Sequence, residues 1–503
     1  SVVFAGVFDI DDASAVSGLA VGEAATVLTE LVTKSLLAVD IDGDGPAYRL
    51  LETTRSYCHE HLCAGGEDQV VRQRHAERML EVLEHAAAEW VRCPAGQWGA
   101  TYGRTLDDLR AALAWAGQRR GQETLLIRLT VAATLLWNHL SLNEECRVHV
   151  ARALHELDVA GLIGSEYEMK LQTSLAGTIV FTRGMSPASL ECAQRALELA
   201  SQVGDTDYKL RCLRAMYVHK VFAGDYAAAG QHVNKFVAIA RSTDPSALLH
   251  GQASLGLLEF YAGNLRASRR IIDAAFKPHF EVLNDARLAR FVFDANTSGQ
   301  NVLANVQWVS GLPETAKSTA RRALDACIAM KHDLSLSMIL ATACCLVALF
   351  NRRDDDLAGY VAILDETLTR KSIDTWRPWS QFYKGVLCAH SAIPNDGPTL
   401  IEDAIAQLRA SNHKQRMPYL LGAFAEVLGG HGCIAEADEY AEAALASCLQ
   451  QHEGWCLPEL LRIRASIFAL QGRGAEAEDV LLKSISAAER MGALSWQLRG
   501  AND

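Results

Sequence analysis

GCIAEADEYAEAALASC, Gly432 to Cys448, and GAEAEDVLLKSISAA, Gly474 to Ala488, decide the fold of this chain. In the first, Ala437 is followed by Ala441 and Ala444. In the second, Ala477 is followed by Leu481 and Ser484. Residues three or four apart lie on one side of a helix, so each stretch presents a strip of small side chains that lets a neighbouring helix come close.

Working outward, a small residue opens the second helix of each successive pair: Ala188, Ala228, Ala267, Ala316, Ala358, Ala404, Ala437 and Ala477. The intervals are 40, 39, 49, 42, 46, 33 and 40 residues. A repeat of this size marks a solenoid of helix pairs. Gly, Asp, Asn or Pro stop and cap the helices at VGDTD, FAGDY, YAGN, SGLPE, NRRDDD, NDGP, GGHG and LQGRG. The pattern is of tetratricopeptide type. Its period exceeds the usual 34, which predicts helices longer than standard. The fold class read from the chain is all-α: a tetratricopeptide-like superhelix over 122–503, preceded by two smaller regions.

Composition agrees. The 503 residues exceed one core. Half are hydrophobic, 7% are aromatic and 11 are Pro, as suits a helix-rich protein. A net charge of −12 argues against a direct grip on nucleic acid. Thirteen cysteines, an odd number without a C-x-x-C, read as free thiols in a reducing cytoplasm. The apolar run ILATACCLVALF at 339–350 is too short to span a bilayer, so no membrane partner is expected. The chain starts inside an apolar element and stops just after a helix begins at Leu494, which reads as a fragment of a larger protein.

Residues 1–64 read helix, helix, hairpin, helix: DIDDASAVSGLA, GEAATVLTELVTKSL, then LLAVDI and AYRLLET about the turn DGDGP, then TRSYCHEHLC. That is the order of a small winged-helix domain. Residues 65–121 read as a helical linker, EDQVVRQRHAERMLEVLEHAAAEW and TLDDLRAALAWAGQRR, joined by the Gly- and Pro-containing stretch CPAGQWGATYG.

Three stretches together resemble a known family. SVVFAGVFDIDDASAV, LTELVTKSLLAVD and YRLLETTRSYCHEHL are similar to the winged helix that follows the nucleotide-binding core of STAND-type signalling ATPases. RHAERMLEVLEHA and LDDLRAALAWA resemble the helical linker of its bacterial members, and RMPYLLGAFAEVL, EGWCLPELLRIRA and MGALSWQLR their tetratricopeptide sensors. The resemblance implies the regulatory and sensor portion of a cytoplasmic transcriptional regulator. In the parent protein ATP or ADP would sit on a separate nucleotide domain, clasped by the winged helix. An effector small molecule, or a protein or peptide, would bind the concave face of the solenoid and drive homo-oligomerisation. Other readings are a pure protein-interaction scaffold and the tail of a nucleotide cyclase. The chain holds no G-x-x-x-x-G-K-[ST], so no enzymatic activity and no cofactor are expected of this part. Where many relatives carry Met-His-Asp, the chain has Leu50, Leu51 and Glu52, and Leu51 cannot hydrogen-bond a phosphate. Glu52 and Arg55 remain as nucleotide-domain contacts.

Two clusters stand out. Trp376, Arg377, Trp379 and Tyr383 in TWRPWSQFYKG combine flat rings with a cation and are the candidate ligand-binding residues. In Cys58-His59-Glu60-His61-Leu62-Cys63 the spacing matches neither H-E-x-x-H nor paired C-x-x-C. Of its ligand types Cys58 shares a face with His61, and no metal site is expected. The second helix of the winged helix carries Lys34 against Glu23 and Glu30, which is poor equipment for reading DNA bases.

Overall fold

The computed structural model describes the chain outside residues 1, 41–44, 91, 94, 277–290, 292, 372 and 392–395. Among the described residues it divides into two compact units, one up to Ser174 and one from Leu175 onward.

The first unit opens with the winged helix. Helix α1 (Ile10–Ser17) starts on a capping box: Asp9 accepts from the Asp12 amide at 2.8 Å, and Asp12 accepts from the Asp9 amide at 3.1 Å. It ends at Gly18, whose φ of 77° suits a residue without Cβ. Helix α2 (Val21–Thr33) leads into strands β1 (Leu37–Asp40) and β2 (Ala47–Leu50), paired antiparallel from Leu37 opposite Leu50 to Asp40 opposite Ala47. Phe8 forms a further bridge to Tyr48. The hairpin turn expected at DGDGP falls mostly outside the described residues. Helix α3 (Glu52–Ala64) completes the domain around Phe4, Phe8, Val16, Leu28, Leu37, Tyr48 and Leu50.

Helix α4 (Asp68–Glu89) buries Met79, Leu80, Leu83 and Ala86 along one face, as its periodicity predicts. The stretch expected to join it to the next long helix as an irregular loop instead holds helix α5 (Ala95–Gly103). Trp98 anchors α5: its ring is fully buried and its Nε1 donates to the Ala86 carbonyl at 2.8 Å. Helices α6 (Leu106–Ala116), α7 (Glu123–His139) and α8 (Asn143–His155) follow.

A helix over Glu166–Arg183 contains the division between the units. Beyond it the repeat is explicit. Pro187–Val203 is followed by pairs Thr206–Phe222 with Tyr226–Thr243, Pro245–Tyr261 with Leu265–Phe276, and Ala295–Val309 with Pro313–Met330. Next come Asp333–Phe350 with Asp354–Lys371, Arg377–His390 with Gly397–Ala410, Met417–Gly430 with Ile434–Gln451, and Leu457–Leu470 with Gly474–Met491. Leu494–Asn502 ends the chain. Many of these helices run 17 or 18 residues, in line with the long period.

All eight marker alanines fall within the first eight residues of a helix, but the packing register is finer than the marker. Ala316, Ala404 and Ala437 are buried, whereas Ala188 is exposed and the interior position belongs to Ser189. The same one-residue offset puts Ala229 and Ser268 inside in place of Ala228 and Ala267. The serines fit because their hydroxyls are satisfied: Ser189 Oγ donates to the Ala176 carbonyl at 3.0 Å and Ser268 Oγ to that of Gly256 at 2.6 Å.

The second unit closes on itself. Met185 N donates to Ser411 O at 3.0 Å, and Lys414 N to Phe222 O at 2.7 Å. Tyr226 Oη donates to Glu453 Oε2 at 2.6 Å across 227 residues of sequence. Helix Ala295–Val309 and the span Asp333–Phe350 are therefore buried almost all round. The latter is the one helix among the described residues long and apolar enough to cross a membrane, and all of it lies inside the unit. Within it Leu340–Cys344 takes a π-helical turn. Such a turn loosens the backbone ladder. The carbonyl of Ala341 accepts from Tyr383 Oη at 2.6 Å and that of Thr342 from Asn305 Nδ2 at 3.0 Å.

Candidate functional site

The interior of the second unit contains a cavity of about 60 Å3, open to solvent on one side, between the first helices of successive pairs. Helix Thr206–Phe222 supplies Arg214 and Tyr217, helix Pro245–Tyr261 supplies Ser254, helix Ala295–Val309 supplies Asn301, and the π turn supplies Thr342. Trp376 closes one side.

The polar groups are ordered before any ligand enters. Asn301 Nδ2 donates to Thr342 Oγ1 at 2.9 Å, and Thr342 Oγ1 donates on to the Met338 carbonyl at 2.7 Å. Arg214 NH1 donates to Ser254 Oγ at 2.8 Å, and its guanidinium carbon lies 5.0 Å from the centre of the Tyr217 ring. Burial pulls the pKa of Arg214 below the ordinary arginine value. The fully buried Trp376 ring has its Nε1 without a hydrogen-bond partner among the described residues.

Of the four ligand-site residues expected in TWRPWSQFYKG, the structure brings Trp376 to the cavity. Trp379 and Tyr383 are fully buried in the core, with the Tyr383 hydroxyl committed to Ala341. Arg377 faces solvent, where its NH2 pairs with Asp374 at 3.1 Å. Trp376, Trp379 and Tyr383 fall on one inward face and contact one another in series, with Arg377 on the other side, so proximity in sequence made core and not a site. Arg214 and Asn301 carry no local sequence signal, because their neighbours in the cavity come from separate repeats.

In the winged helix, Arg55 reaches back to the Ala5 carbonyl with both terminal nitrogens at 3.3 Å. The Glu52 side chain lies outside the described residues. Leu51, at the end of the hairpin, is 42% exposed. In the cysteine- and histidine-rich helix, the face reading overlooked His59 and Cys63, which stand one turn apart with Sγ 3.8 Å from Nε2. Asp68 Oδ1 lies 3.9 Å from His59 Nδ1. The Arg72 guanidinium sits in the same group, donating to Asp68 at 2.7 Å and lying 3.3 Å from His59 Nδ1, where its charge opposes a metal cation. The thirteen cysteines are free thiols, seven of them buried.

The sequence profile of a family described as a winged helix-turn-helix domain matches residues 2–63. No curated protein matches the chain. Several solved structures are similar in fold. One is a STAND protein with a tetratricopeptide repeat sensor from Pyrococcus horikoshii, 11% identical, covering 97% of this chain and 62% of that one, with a TM-score of 0.38. Another is the APC/C hetero-tetramer Cut9–Hcn1, 11% identical over 87% of this chain and 88% of that one, with a TM-score of 0.40. A third is the P58(IPK) TPR domain, 13% identical over 81% of this chain and 99% of that one, with a TM-score of 0.23. The chain thus spans 62% of the length of the STAND structure. It carries an N-terminal winged helix-turn-helix domain followed by a tetratricopeptide-like helical array.

Proposed function

We propose that this chain is the regulatory and sensor portion of a STAND-type signalling ATPase acting in transcription, and that its helical array senses a small molecule. The observation that carries the sensing half is the closed interior. A peptide or helix needs a long open groove, whereas this array surrounds a cavity lined by rings and a few fixed polar groups, the usual make-up of a small-ligand site.

The regulatory half draws support from the surface of the winged helix. Its second helix has no basic residue, and Lys34, just past its end, lies 3.8 Å from Glu30, so it suits a protein neighbour better than a DNA groove. Val21, Val27, Val39, Leu51 and Tyr57 are exposed there, apolar surface of the kind that a nucleotide-binding domain would cover. Effector binding would shift the parent protein towards its active, oligomerising form if the effector prefers that state.

A thermal-shift screen of the 503-residue chain against sugars, amino acids, nucleotides and organic acids tests the sensing half. Stabilisation by one chemical class is the expected result, since a ligand held by the folded state alone raises its stability. No shift from any class, together with tight binding of a defined peptide, would replace the sensor with an interaction scaffold.

A further inference from the structure

The three arginines buried in the second unit among the described residues are not alike. Arg462 is ringed by acids, with Glu459 at 2.9 Å, Glu426 at 2.6 Å and Asp503 at 2.7 Å. Arg416 is packed against the rings of Phe260, Tyr261 and Trp455, and its charge acts on the nearby Glu453 carboxylate, which also accepts from its backbone amide. Arg214 is 8% exposed and has no acidic partner among the described residues. Among the described residues it is also the one charged side chain lining the cavity, and its Nε, like that of Arg416, has no hydrogen-bond partner there.

A buried charge without a counter-charge is costly to a fold, and an apolar side chain of similar size in its place removes that cost. A guanidinium kept at that cost in the wall of a cavity is equipped to meet an oxyanion. Its planar fork matches a carboxylate or phosphate better than any neutral head group. The rest of the wall is apolar or aromatic: Val218, Val221, Phe222, Leu257, Phe293 and Trp376. It suits a flat, poorly hydrated body.

We propose that this cavity takes a small organic anion, a carboxylate or phosphate head on a planar apolar body, with Arg214 as the anchor of the head. This rests on the small-molecule reading of the array and goes beyond it by assigning the chemical class and the residue that selects it.

The test uses the whole 503-residue chain, wild type and with Arg214→Met or Arg214→Lys. The probes are charged and neutral pairs of matched shape, indole-3-acetate with indole-3-acetamide and phenyl phosphate with phenol. The expected result has two parts. Without any probe, Arg214→Met melts higher than wild type by about 3 °C, because an uncompensated charge has been removed. With probes, an anion stabilises the wild type and its neutral partner does not. Arg214→Lys keeps part of that shift, and Arg214→Met keeps none. The arm that responds, carboxylate or phosphate, identifies the head group.

A lower melting temperature for Arg214→Met without ligand would mean that the arginine is a structural strut, and the proposal falls. Equal stabilisation by charged and neutral probes, unchanged in Arg214→Met, would remove the anion while leaving the sensor reading in place. No shift from either member of either pair overturns the proposal. It leaves the sensor reading to stand or fall on the wider screen.

Discussion

His75 Nε2 lies 3.1 Å from Asp108 Oδ1 in the interior of the first unit, and that same carboxylate accepts the backbone amides of Ala5 at 2.7 Å and Gly6 at 3.2 Å. Two helices of the linker thus hold the N-terminal segment of the winged helix, with the Phe4 ring edge-on to His75 at 5.2 Å. Asp108→Ala removes the partner of the buried His75 and of the two half-buried amides. It should destabilise the first unit by about 3 kcal/mol. Urea denaturation of the variant, with limited proteolysis near residue 6, checks this. An unchanged midpoint would show that the segment is held by its rings instead.

The stacked pair His413 and Phe222, with ring centres 4.8 Å apart, sets an acid limit on stability. Burial pushes the His413 pKa down to about 4, while in the unfolded chain it is about 6.5. Above the unfolded value both states are neutral and His413 contributes no pH dependence. As pH falls from there towards the folded value, the unfolded chain alone takes up a proton. Stability should drop by about 3 kcal/mol over that window from this residue. His413→Phe should reduce the loss, seen as a flatter plot of urea midpoint against pH. Parallel curves for the two proteins would exclude His413 as the cause.

Glu453 is fully buried, and burial raises its pKa above the usual carboxylate value. It accepts from Tyr226 Oη at 2.6 Å and Trp455 Nε1 at 2.7 Å. Glu453→Ala should cost about 4 kcal/mol, because buried donors are orphaned and a hole is left. Tyr226→Phe removes one bond while keeping the ring, and should cost about 1 kcal/mol. A cost for Glu453→Ala no greater than that for Tyr226→Phe would contradict the description of this node.

Thiol chemistry should follow depth. Cys63 and Cys433 are exposed, whereas burial pushes Cys146 and Cys327 up to about 12. Iodoacetamide at mildly alkaline pH should label the exposed pair first and the buried seven on unfolding, since the thiolate is the reactive form. Mass spectrometry of peptides against time reads this directly. Rapid labelling of Cys344 in the native protein would mean that the interior opens.

Local chemistry made much of the fold readable. The acidic residues that open helix α1, the two short strands about a turn-forming stretch and the small-residue spacing in Gly432–Cys448 each act within a few residues of chain. Helix α5 was not readable, because its glycines argue for a loop and the burial of Trp98 overrides them. The offset from Ala188 to Ser189 was hidden for a related reason: a serine looks polar until a carbonyl one helix away satisfies it. Little of the cavity could be foreseen. Trp376 stood out by composition, but Arg214, Ser254 and Thr342 meet only because the array winds back on itself.

That winding changes how the molecule must assemble. In an open array each repeat touches its neighbours, so the chain can be shortened from an end and what remains still folds. Here Ser495 Oγ donates to the Trp308 carbonyl and Trp496 packs against Trp308 with ring centres 4.7 Å apart, nearly 190 positions along the chain. Folding has to wait for the last helix before the middle is sealed, which makes it slow and collective. Deleting Leu494–Asn502 would therefore unseal the centre of the array as well as trimming its end.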